Sequence, residues 1–314
     1  MALLLGTDEA GYGPNLGPLV VTATLWRIPD ELDSTTSEFE HLFRDLKSLR
    51  IDDSKQVYDS QTKSLKELEK AALSLVSLLG PQPVNLEKLL GVIAQNSNSG
   101  DKLICWKEGL GLKVPRDANG QEIERCRDEL REFLSSQKIE LVDVRSEVVF
   151  PERFNQLSEK LGNKATLLST VTLELVDQLL SENQGWDSRL EILCDKHGGR
   201  SKYVHFINDI LTENFVQIEQ EALQESRYSI DGFHPTRIRF TSNGERFFPV
   251  ACASIVSKYI RELTMIGWND FWKKKVGEIQ PTAGYPVDAK RFFGEIESAA
   301  TSLGMAKDSI WRNR

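Results

Sequence analysis

The chain has 314 residues, of which 40% are hydrophobic and 27% are charged, a composition typical of a soluble globular protein. This length allows one large domain with an appendage, or two domains, and a core that needs no disulfide bonds. The formal net charge of −8 disfavours binding to a phosphate backbone unless basic residues gather on one face. The sequence offers no stretch that is long and apolar enough for a membrane span or a signal peptide. We therefore expect a cytoplasmic protein with no membrane partner.

Cysteine spacing argues against a zinc site. The four cysteines stand far apart and form no CxxC pair: Cys105, Cys126, Cys194 and Cys252. Thiols in this arrangement are typical of buried, unpaired side chains in a reducing compartment.

Basic residues gather in the last third of the chain. Each group alone is typical of a solvated helix face, but together they can form a local surface for nucleic acid. The groups are Lys196 with Arg200 and Lys202, Lys258 with Arg261, residues 273–275, and Lys290 with Arg291.

The first predicted elements are two strands. Leu3, Leu4 and Leu5 precede a glycine-rich turn and predict a short buried strand, and residues 18–26 predict a second strand that is rich in β-branched side chains. The short connection over residues 11–17 predicts a hairpin.

Helices and strands alternate along the rest of the chain. Apolar residues recur at helical spacing over residues 39–49 and 65–79, whereas residues 95–120 show no clear period and predict a loop. Later strands are predicted over residues 139–149, 189–195, 215–222 and 236–242, and later helices over residues 163–180, 201–213 and 247–266. From Asn269 the chain is basic and is broken by residues 281–286, which predicts a small helical appendage. This alternation predicts an α/β sheet with mixed strand directions.

Two adjacent carboxylates stand where the first strand meets the glycine turn. Neighbouring side chains on a strand point to opposite faces, so Asp8 and Glu9 share a site only if the chain bends, which Gly11 and Gly13 permit. Carboxylate oxygens are the ligands that hard divalent cations prefer. A solvated strand end is the alternative. A nucleotide-binding loop has weak support because no helix follows the glycines.

Two later segments also place polar groups on apolar elements. Asp195 ends a buried strand, a position that suits a site acid or a helix N-cap. The predicted helix from residue 247 begins with small residues, which indicates a close approach to another backbone. Its polar residues recur every three to four positions and form a stripe that faces either a site or solvent. These residues are Ser254, Lys258, Arg261 and Glu262.

These segments, in this order, resemble the type 2 ribonucleases H, that is, ribonuclease HII and its relative HIII. The family pattern Asp-Glu-Ala-Gly-Arg-Gly-Pro, followed by Gly-Pro and an apolar strand, is similar to residues 8–24 except at one position. The other similar segments, which extend over most of the chain, are residues 53–55, 163–167, Asp195, residues 251–262 and residues 284–286.

The resemblance implies a ribonuclease H-like fold with a mixed five-stranded sheet flanked by helices. It implies a catalytic domain over residues 1–268 and a small C-terminal helical appendage over residues 269–314. An insertion is expected at about residues 83–137, where we recognise no segment of the family pattern. The implied activity is metal-dependent endonucleolytic hydrolysis of the RNA strand of RNA/DNA hybrids, or of ribonucleotides in duplex DNA, to 5′-phosphate and 3′-hydroxyl ends. We expect a monomer.

The resemblance also implies the residues of the site. Two Mg²⁺ or Mn²⁺ ions would be held by Asp8, Glu9, Asp195 and Glu262. Recognition of RNA requires a contact with the 2′-hydroxyl, for which the backbone of the glycine loop and the Tyr285 side chain are candidates. The full set of candidate substrate-binding residues is Gly11, Tyr12, Gly13, Lys55, Asn163, Lys164, Lys258 and Tyr285. His197 is a candidate proton shuttle or a surface histidine.

Two positions differ from the family pattern. The family has Gly-Arg-Gly, or Gly-Lys-Gly in type HIII, where this chain has Tyr12 between Gly11 and Gly13, so a cation that lies against the nucleic-acid backbone is replaced. The fourth acid is usually Asp in type HII and Glu in type HIII, and here it is Glu262.

Two alternatives to a hybrid-cleaving enzyme stay open. One is a ribonuclease H-fold nuclease that acts on another nucleic acid. The other is a hybrid-binding protein with weakened catalysis, which Tyr12 and the acidic net charge favour and the four acids oppose.

Overall fold

The computed structural model describes most of the chain. The described residues are 1–32, 46, 49–51, 57–58, 64–94, 103–183, 188–231 and 235–313. The predicted substrate residue Lys55, with the segment 53–55, lies outside the described residues, as does most of the helix predicted over residues 39–49.

The described residues form one mixed sheet of seven strands. Their bounds are β1 (Ala2–Ala10), β2 (Leu19–Ile28), β3 (Glu140–Val149), β4 (Leu190–Asp195), β5 (Val216–Glu221), β6 (Glu225–Ile230) and β7 (Thr236–Thr241). The strand order across the sheet is β3-β2-β1-β4-β7-β6-β5. The predicted α/β sheet with mixed strand directions is confirmed, but it has seven strands rather than five. The hairpin of β5 and β6 extends the sheet beyond β7.

Parallel pairing joins the three central strands. β1 pairs parallel with β4, and β4 pairs parallel with β7, whereas the flanking pairs are antiparallel. The predicted hairpin of β1 and β2 is confirmed. β1 is longer than the sequence predicts, so Asp8 and Glu9 lie within the strand rather than after it.

Helices cover both faces of the sheet. Their bounds are α1 (Lys66–Val76), α2 (Leu86–Ile93), α3 (Ile104–Lys107), α4 (Gly120–Ser136), α5 (Pro151–Leu161), α6 (Lys164–Glu182), α7 (Val204–Ile210), α8 (Phe248–Val276), α9 (Pro286–Ser302) and α10 (Lys307–Ile310). A short 3-10 helix (Gly244–Arg246) precedes α8.

Side-chain alternation on β1 divides the core into two layers. Leu4 packs into the layer that contains α8, whereas Leu3 and Leu5 pack into the layer that contains α6. Gly6 is where α8 meets the sheet, since a Cβ there would lie 2.3 Å from the Pro249 carbonyl carbon. The close backbone approach predicted from the small residues of this helix is therefore confirmed.

α8 runs without a break through the boundary predicted between residues 268 and 269. The division into a catalytic domain and an appendage stays a prediction. The four cysteines are buried and free, as expected. Within the residues that the structure describes, no helix is both long enough and apolar enough to cross a bilayer.

Candidate active site

Two of the predicted acids lie side by side at the carboxyl ends of parallel strands. Thr7 of β1 pairs with Cys194 of β4, and the next residue on each strand is Asp8 and Asp195. Because Leu4 and Leu193 pack into the same core layer, alternation places both carboxylates on the face that α8 covers. The sheet thus brings together two acids that are 187 positions apart in the sequence.

Asp8 is buried among other acids. Burial raises the pKa of the Asp8 carboxyl well above its ordinary value of 3.8, and the charges of Glu9 and Asp195 raise it further. A hydrogen bond with Ser254 of α8 lowers this pKa, and the charge of Glu245 raises it by a smaller amount. The Glu9 amide also donates to Asp8 Oδ1 at 2.8 Å. The surroundings therefore favour either a proton or a cation at this carboxylate.

Asp195 is fixed by the turn that follows β7. Its Oδ1 accepts a hydrogen bond from the Gly244 amide at 2.8 Å. A Cβ at Gly244 would lie 3.0 Å from the Asp195 Cα, so glycine permits this approach. The next residue, Glu245, belongs to the acidic group, although the sequence interpretation did not single it out. An acid just after a strand parallel to β4 is a usable signal, because parallel strands end at the same edge of a sheet.

Glu9 follows Asp8 on β1, so its side chain points to the opposite face of the sheet. Its charge is still close enough to raise the pKa of Asp8. Its charge also raises the pKa of the Tyr12 hydroxyl, after the larger effect of burial. The pKa of the Cys194 thiol is about 12, mainly because of burial. Glu9 therefore lies between the acidic pair and the glycine loop, and its role as a ligand stays a prediction.

Glu262 is placed with a lysine of its own helix. It lies eight residues beyond Ser254 on α8, about 12 Å along the helix axis. Lys258 Nζ donates to Glu262 Oε1 at 2.6 Å, and the same ammonium lies 4.8 Å from the centroid of the Tyr58 ring. Lys258 engages Oε1 of this carboxylate, and a metal-ligand role for Glu262 stays a prediction, as does substrate binding by Lys258.

The glycine loop, residues 11–13, lies beside Tyr285, and the role of these residues in substrate binding stays a prediction. Gly11 has φ +89°, a conformation that favours glycine. A Cβ at Gly13 would lie 3.8 Å from Tyr285 Cε1, and Tyr285 is 55% exposed. Gly284 accepts hydrogen bonds at its carbonyl from the amides of Asn15 and Leu16, so the two segments are joined through their backbones.

Two predicted substrate residues lie at the start of α6. Asn163 caps this helix, since its side chain accepts from the Thr166 amide at 2.9 Å. Lys164 Nζ lies 4.7 Å from the centroid of the Tyr12 ring, so it brings a cation to the loop position where the family has one. Both residues line a groove of about 900 Å³ between α5 and the C-terminal segment.

His197 and Lys196 are part of the core rather than a reactive surface. His197 is buried with its Nδ1 3.0 Å from Ser169 Oγ. Burial lowers the pKa of His197 to about 3, with smaller effects from Arg200 and Lys196, so the ring is neutral at neutral pH. Lys196 Nζ donates to the carbonyl of Ala222 and to Ser226 Oγ. Neither the expected surface histidine nor a proton shuttle fits this burial.

The donor set at Asp8 and Asp195 fits a hard divalent cation. Carboxylate oxygens suit Mg²⁺ and Mn²⁺, and a bound cation would offset both the burial and the mutual repulsion of these acids. Across the described part of the chain, no group of three or more His, Cys, Asp and Glu side chains is placed to hold a metal ion. The fit therefore rests on two carboxylates.

The chain is similar in fold to solved structures of type 2 ribonucleases H, the family that its sequence resembles. Ribonuclease H2 from Pyrococcus horikoshii OT3 is 15% identical, with a TM-score of 0.44 and coverage of 98% of this chain and 92% of that chain. RNase HII from Archaeoglobus fulgidus, solved in a complex with PCNA, is 15% identical with a TM-score of 0.43 and coverage of 99% and 94%. Bst-RNase HIII in complex with Mn²⁺ is 14% identical with a TM-score of 0.44 and coverage of 99% and 66%.

No protein-family model matches the chain, and no curated protein matches it in sequence. Because the structural neighbours share so few residues with this chain, we base the function on the chain's own side chains.

Proposed function

We propose that this chain is a divalent-metal-dependent ribonuclease H, which hydrolyses the RNA strand of RNA/DNA hybrids or cuts at ribonucleotides in duplex DNA. The observation that carries the proposal is the pair formed by the buried Asp8 and the half-buried Asp195 at the ends of parallel strands, beside the glycine loop and Tyr285. The products would be 5′-phosphate and 3′-hydroxyl ends.

The acids would hold the metal and orient the scissile phosphate. Asp8 and Asp195 are the proposed first ligands, joined by Glu9 and by Glu262, whose Oε1 also pairs with Lys258. Mg²⁺ or Mn²⁺ bound there would lower the pKa of a water and stabilise charge on the phosphate oxygens. Gly244 fixes Asp195 through its amide, and Ser254 fixes Asp8 from α8.

The glycine loop would recognise RNA. Its backbone and the exposed Tyr285 side chain can approach a 2′-hydroxyl from two sides, which DNA lacks. Lys164, seated over Tyr12, would supply the cation for the phosphate next to the loop. Asn163 would act through the start of α6, whose N-terminus favours an anion.

The test compares cleavage of three labelled duplexes by the full chain: one ribonucleotide in DNA, an RNA/DNA hybrid and plain DNA. Each is incubated with Mg²⁺, with Mn²⁺ and with a chelator. We expect metal-dependent cleavage of the ribonucleotide-containing duplexes and none of plain DNA. Asp8→Asn should lower the rate at least about a hundredfold, because it removes a metal-binding charge.

The matched control is Asp177→Asn, which removes an exposed carboxylate from α6 and should cleave like the unaltered chain. Full activity of the Asp8→Asn variant would overturn the proposal. Cleavage of plain DNA at the same rate as the ribonucleotide-containing duplexes would indicate a nuclease with another substrate.

A second candidate is a hybrid-binding protein with weak catalysis. The observation that favours it is the ion pair of Glu262 with Lys258, which occupies a proposed ligand. Tight binding of the hybrid without turnover in Mn²⁺ would support this candidate against the first.

A further inference from the structure

A buried arginine from the end of the chain lies against the glycine loop. Arg312 is 2% exposed. Its Nη1 donates to the Gly11 carbonyl at 2.6 Å and its Nη2 donates to the Tyr12 carbonyl at 3.0 Å. The guanidinium carbon lies 4.0 Å from the centroid of the Phe154 ring. One side chain therefore holds two successive carbonyls of the loop proposed to meet the substrate.

The backbone around Arg312 is joined to the same segment. The Arg312 amide donates to the Asn15 carbonyl at 2.8 Å, and Asn15 Nδ2 donates to the Arg312 carbonyl at 3.0 Å. Leu16 and Trp311 form an antiparallel bridge. On the other side, Asn155 Nδ2 donates to the Trp311 carbonyl at 2.8 Å. The C-terminal segment is thus fixed between the loop and α5.

A second buried arginine bounds the loop from α8. A Cβ at Gly11 would lie 2.4 Å from Arg261 Nε, and Arg261 Nη2 donates to the Ala283 carbonyl at 2.9 Å. Arg261 therefore connects α8 to the segment that carries Tyr285, while Arg312 holds the loop from the opposite end of the chain. The two guanidinium groups therefore add to the backbone hydrogen bonds at Gly284 that hold the loop next to the segment carrying Tyr285.

A guanidinium suits this position better than any other cation. Burial of a charge is costly unless hydrogen bonds satisfy it, and the planar fork of arginine can donate to two neighbouring carbonyls at once. A lysine ammonium is a point charge and does not reproduce that fork. The contact also turns both carbonyls inward, which leaves the opposite side of the loop backbone for a ligand.

We propose that Arg312 is a positioning residue for the glycine loop: the buried guanidinium acts through the loop rather than by contact with the substrate, and it makes the C-terminal segment part of the substrate site. The proposal rests on the proposed function only in that the ligand of the loop is a ribonucleotide-containing duplex. Loss of the two guanidinium hydrogen bonds would make the loop more mobile and weaken substrate binding. It would leave the acidic pair at Asp8 and Asp195 in place.

The test uses Arg312→Lys and Arg312→Ala in the full chain, with Arg131→Lys as the matched control. Arg131 is a surface arginine of α4 that pairs with Asp128. Amide hydrogen exchange of the peptide over residues 10–17 is measured without substrate, and KM and kcat are measured separately on the single-ribonucleotide duplex. Thermal unfolding of each variant shows whether it is folded.

We expect faster exchange at residues 10–17 and a KM raised roughly tenfold in Arg312→Lys, with kcat changed far less. Arg131→Lys should match the unaltered chain. In Arg312→Ala, added methylguanidinium should restore slow exchange, because it refills the site left by the side chain. Unchanged exchange at residues 10–17 in both Arg312 variants would overturn the proposal, as would equal losses in every region of a folded variant.

The two proposals fail in different ways. Exchange needs no substrate, so a faster-exchanging loop in a chain that cleaves nothing would leave the positioning role standing and remove the proposed activity. An Arg312→Lys variant with normal hydrogen exchange and normal cleavage would instead support the proposed activity and argue against the positioning role.

Discussion

At the residue scale, the two glycines that flank Tyr12 meet different surroundings. Gly11 has φ +89°, and a Cβ there would lie 2.4 Å from Arg261 Nε and 2.5 Å from the Pro18 carbonyl oxygen. A Cβ at Gly13 would meet the Tyr285 ring at 3.8 Å, an ordinary contact distance. Gly11 is therefore required by the fold of the loop, whereas Gly13 leaves room above its backbone that a ligand can use.

Alanine at each position separates folding from binding. Gly11→Ala should lower the free energy of unfolding by about 1–3 kcal/mol, because the backbone is strained and the Cβ overlaps buried atoms. Gly13→Ala should change the free energy of unfolding by less than about 0.5 kcal/mol but raise KM for ribonucleotide-containing duplexes. Urea unfolding and cleavage kinetics measure the two effects. A Gly11→Ala variant as stable as the unaltered chain would contradict this account of the loop.

Single residues show where sequence reasoning ends. Asp8 and Asp195 could be singled out because each is an acid at the end of an apolar run. The contacts of Arg312 with Gly11 and Tyr12 could not be predicted, since 301 and 300 positions separate the partners and no local sequence pattern marks an arginine that binds a distant carbonyl. Glu245 is an intermediate case. It follows a predicted strand, but the sequence did not show that this strand pairs parallel with the strand that carries Asp195.

At the scale of elements, one buried carboxylate ties α1 to the inserted segment. Glu69 is fully buried, and its oxygens accept from the amides of Arg116 at 2.7 Å, Asp117 at 2.7 Å and Ala118 at 2.9 Å. The Tyr259 hydroxyl of α8 donates to it at 2.9 Å. The loop before α4, α1 and α8 therefore meet at one side chain, so this part of the insertion belongs to the core.

Removal of this carboxylate should loosen the insertion. Glu69→Ala leaves three amides and one hydroxyl without their acceptor, so we expect the free energy of unfolding to fall by at least about 3 kcal/mol. The matched control is Glu67→Ala on the same helix, which removes an exposed acid that pairs with Lys70 and should cost less than about 0.5 kcal/mol. Urea unfolding measures both, and equal losses would show that the buried contacts of Glu69 contribute nothing of their own.

Long periodic elements were predictable and polar ones were not. β3, β4 and α6 lie where the sequence places them, because their apolar residues are continuous or regularly spaced. β6 was missed because its sequence, ESRYSI, is largely polar. The residues that it buries are Ser226, Tyr228 and Ile230, of which only the last is aliphatic. α8 continues to Val276, ten residues beyond the prediction, because its last turns bury Trp268, Phe271 and Trp272 between polar residues.

At the scale of the whole molecule, charge must be arranged locally for an acidic chain to bind a polyanion. The net charge is −8, and two of the basic residues expected on such a surface, Lys196 and Arg261, are buried. Residues 273–275, by contrast, are three exposed lysines at the end of α8. They lie about 30 Å along the helix from Ser254, which is roughly nine base-pair steps of a duplex.

We expect a duplex whose scissile phosphate lies at the acidic pair to reach these lysines with its backbone. Replacement of Lys273, Lys274 and Lys275 by Gln should weaken duplex binding and reduce the slope of log K against log salt by about 2–3, since each phosphate contact contributes about 0.9. The rate of cleavage at saturating substrate should be unchanged, because these lysines are far from the acids. Binding titrations at several salt concentrations give the slope.

The control for charge alone is a triple replacement in the inserted segment, where Lys88, Lys113 and Arg131 are exposed. It changes the net charge by the same three units, so any effect of overall repulsion is equal in the two variants. If the slope of log K against log salt falls equally in both variants, long-range attraction rather than direct contact explains the fall, and residues 273–275 do not lie on the path of the duplex. A loss confined to residues 273–275 would place the duplex along α8 and would account for a basic helix end on an acidic protein.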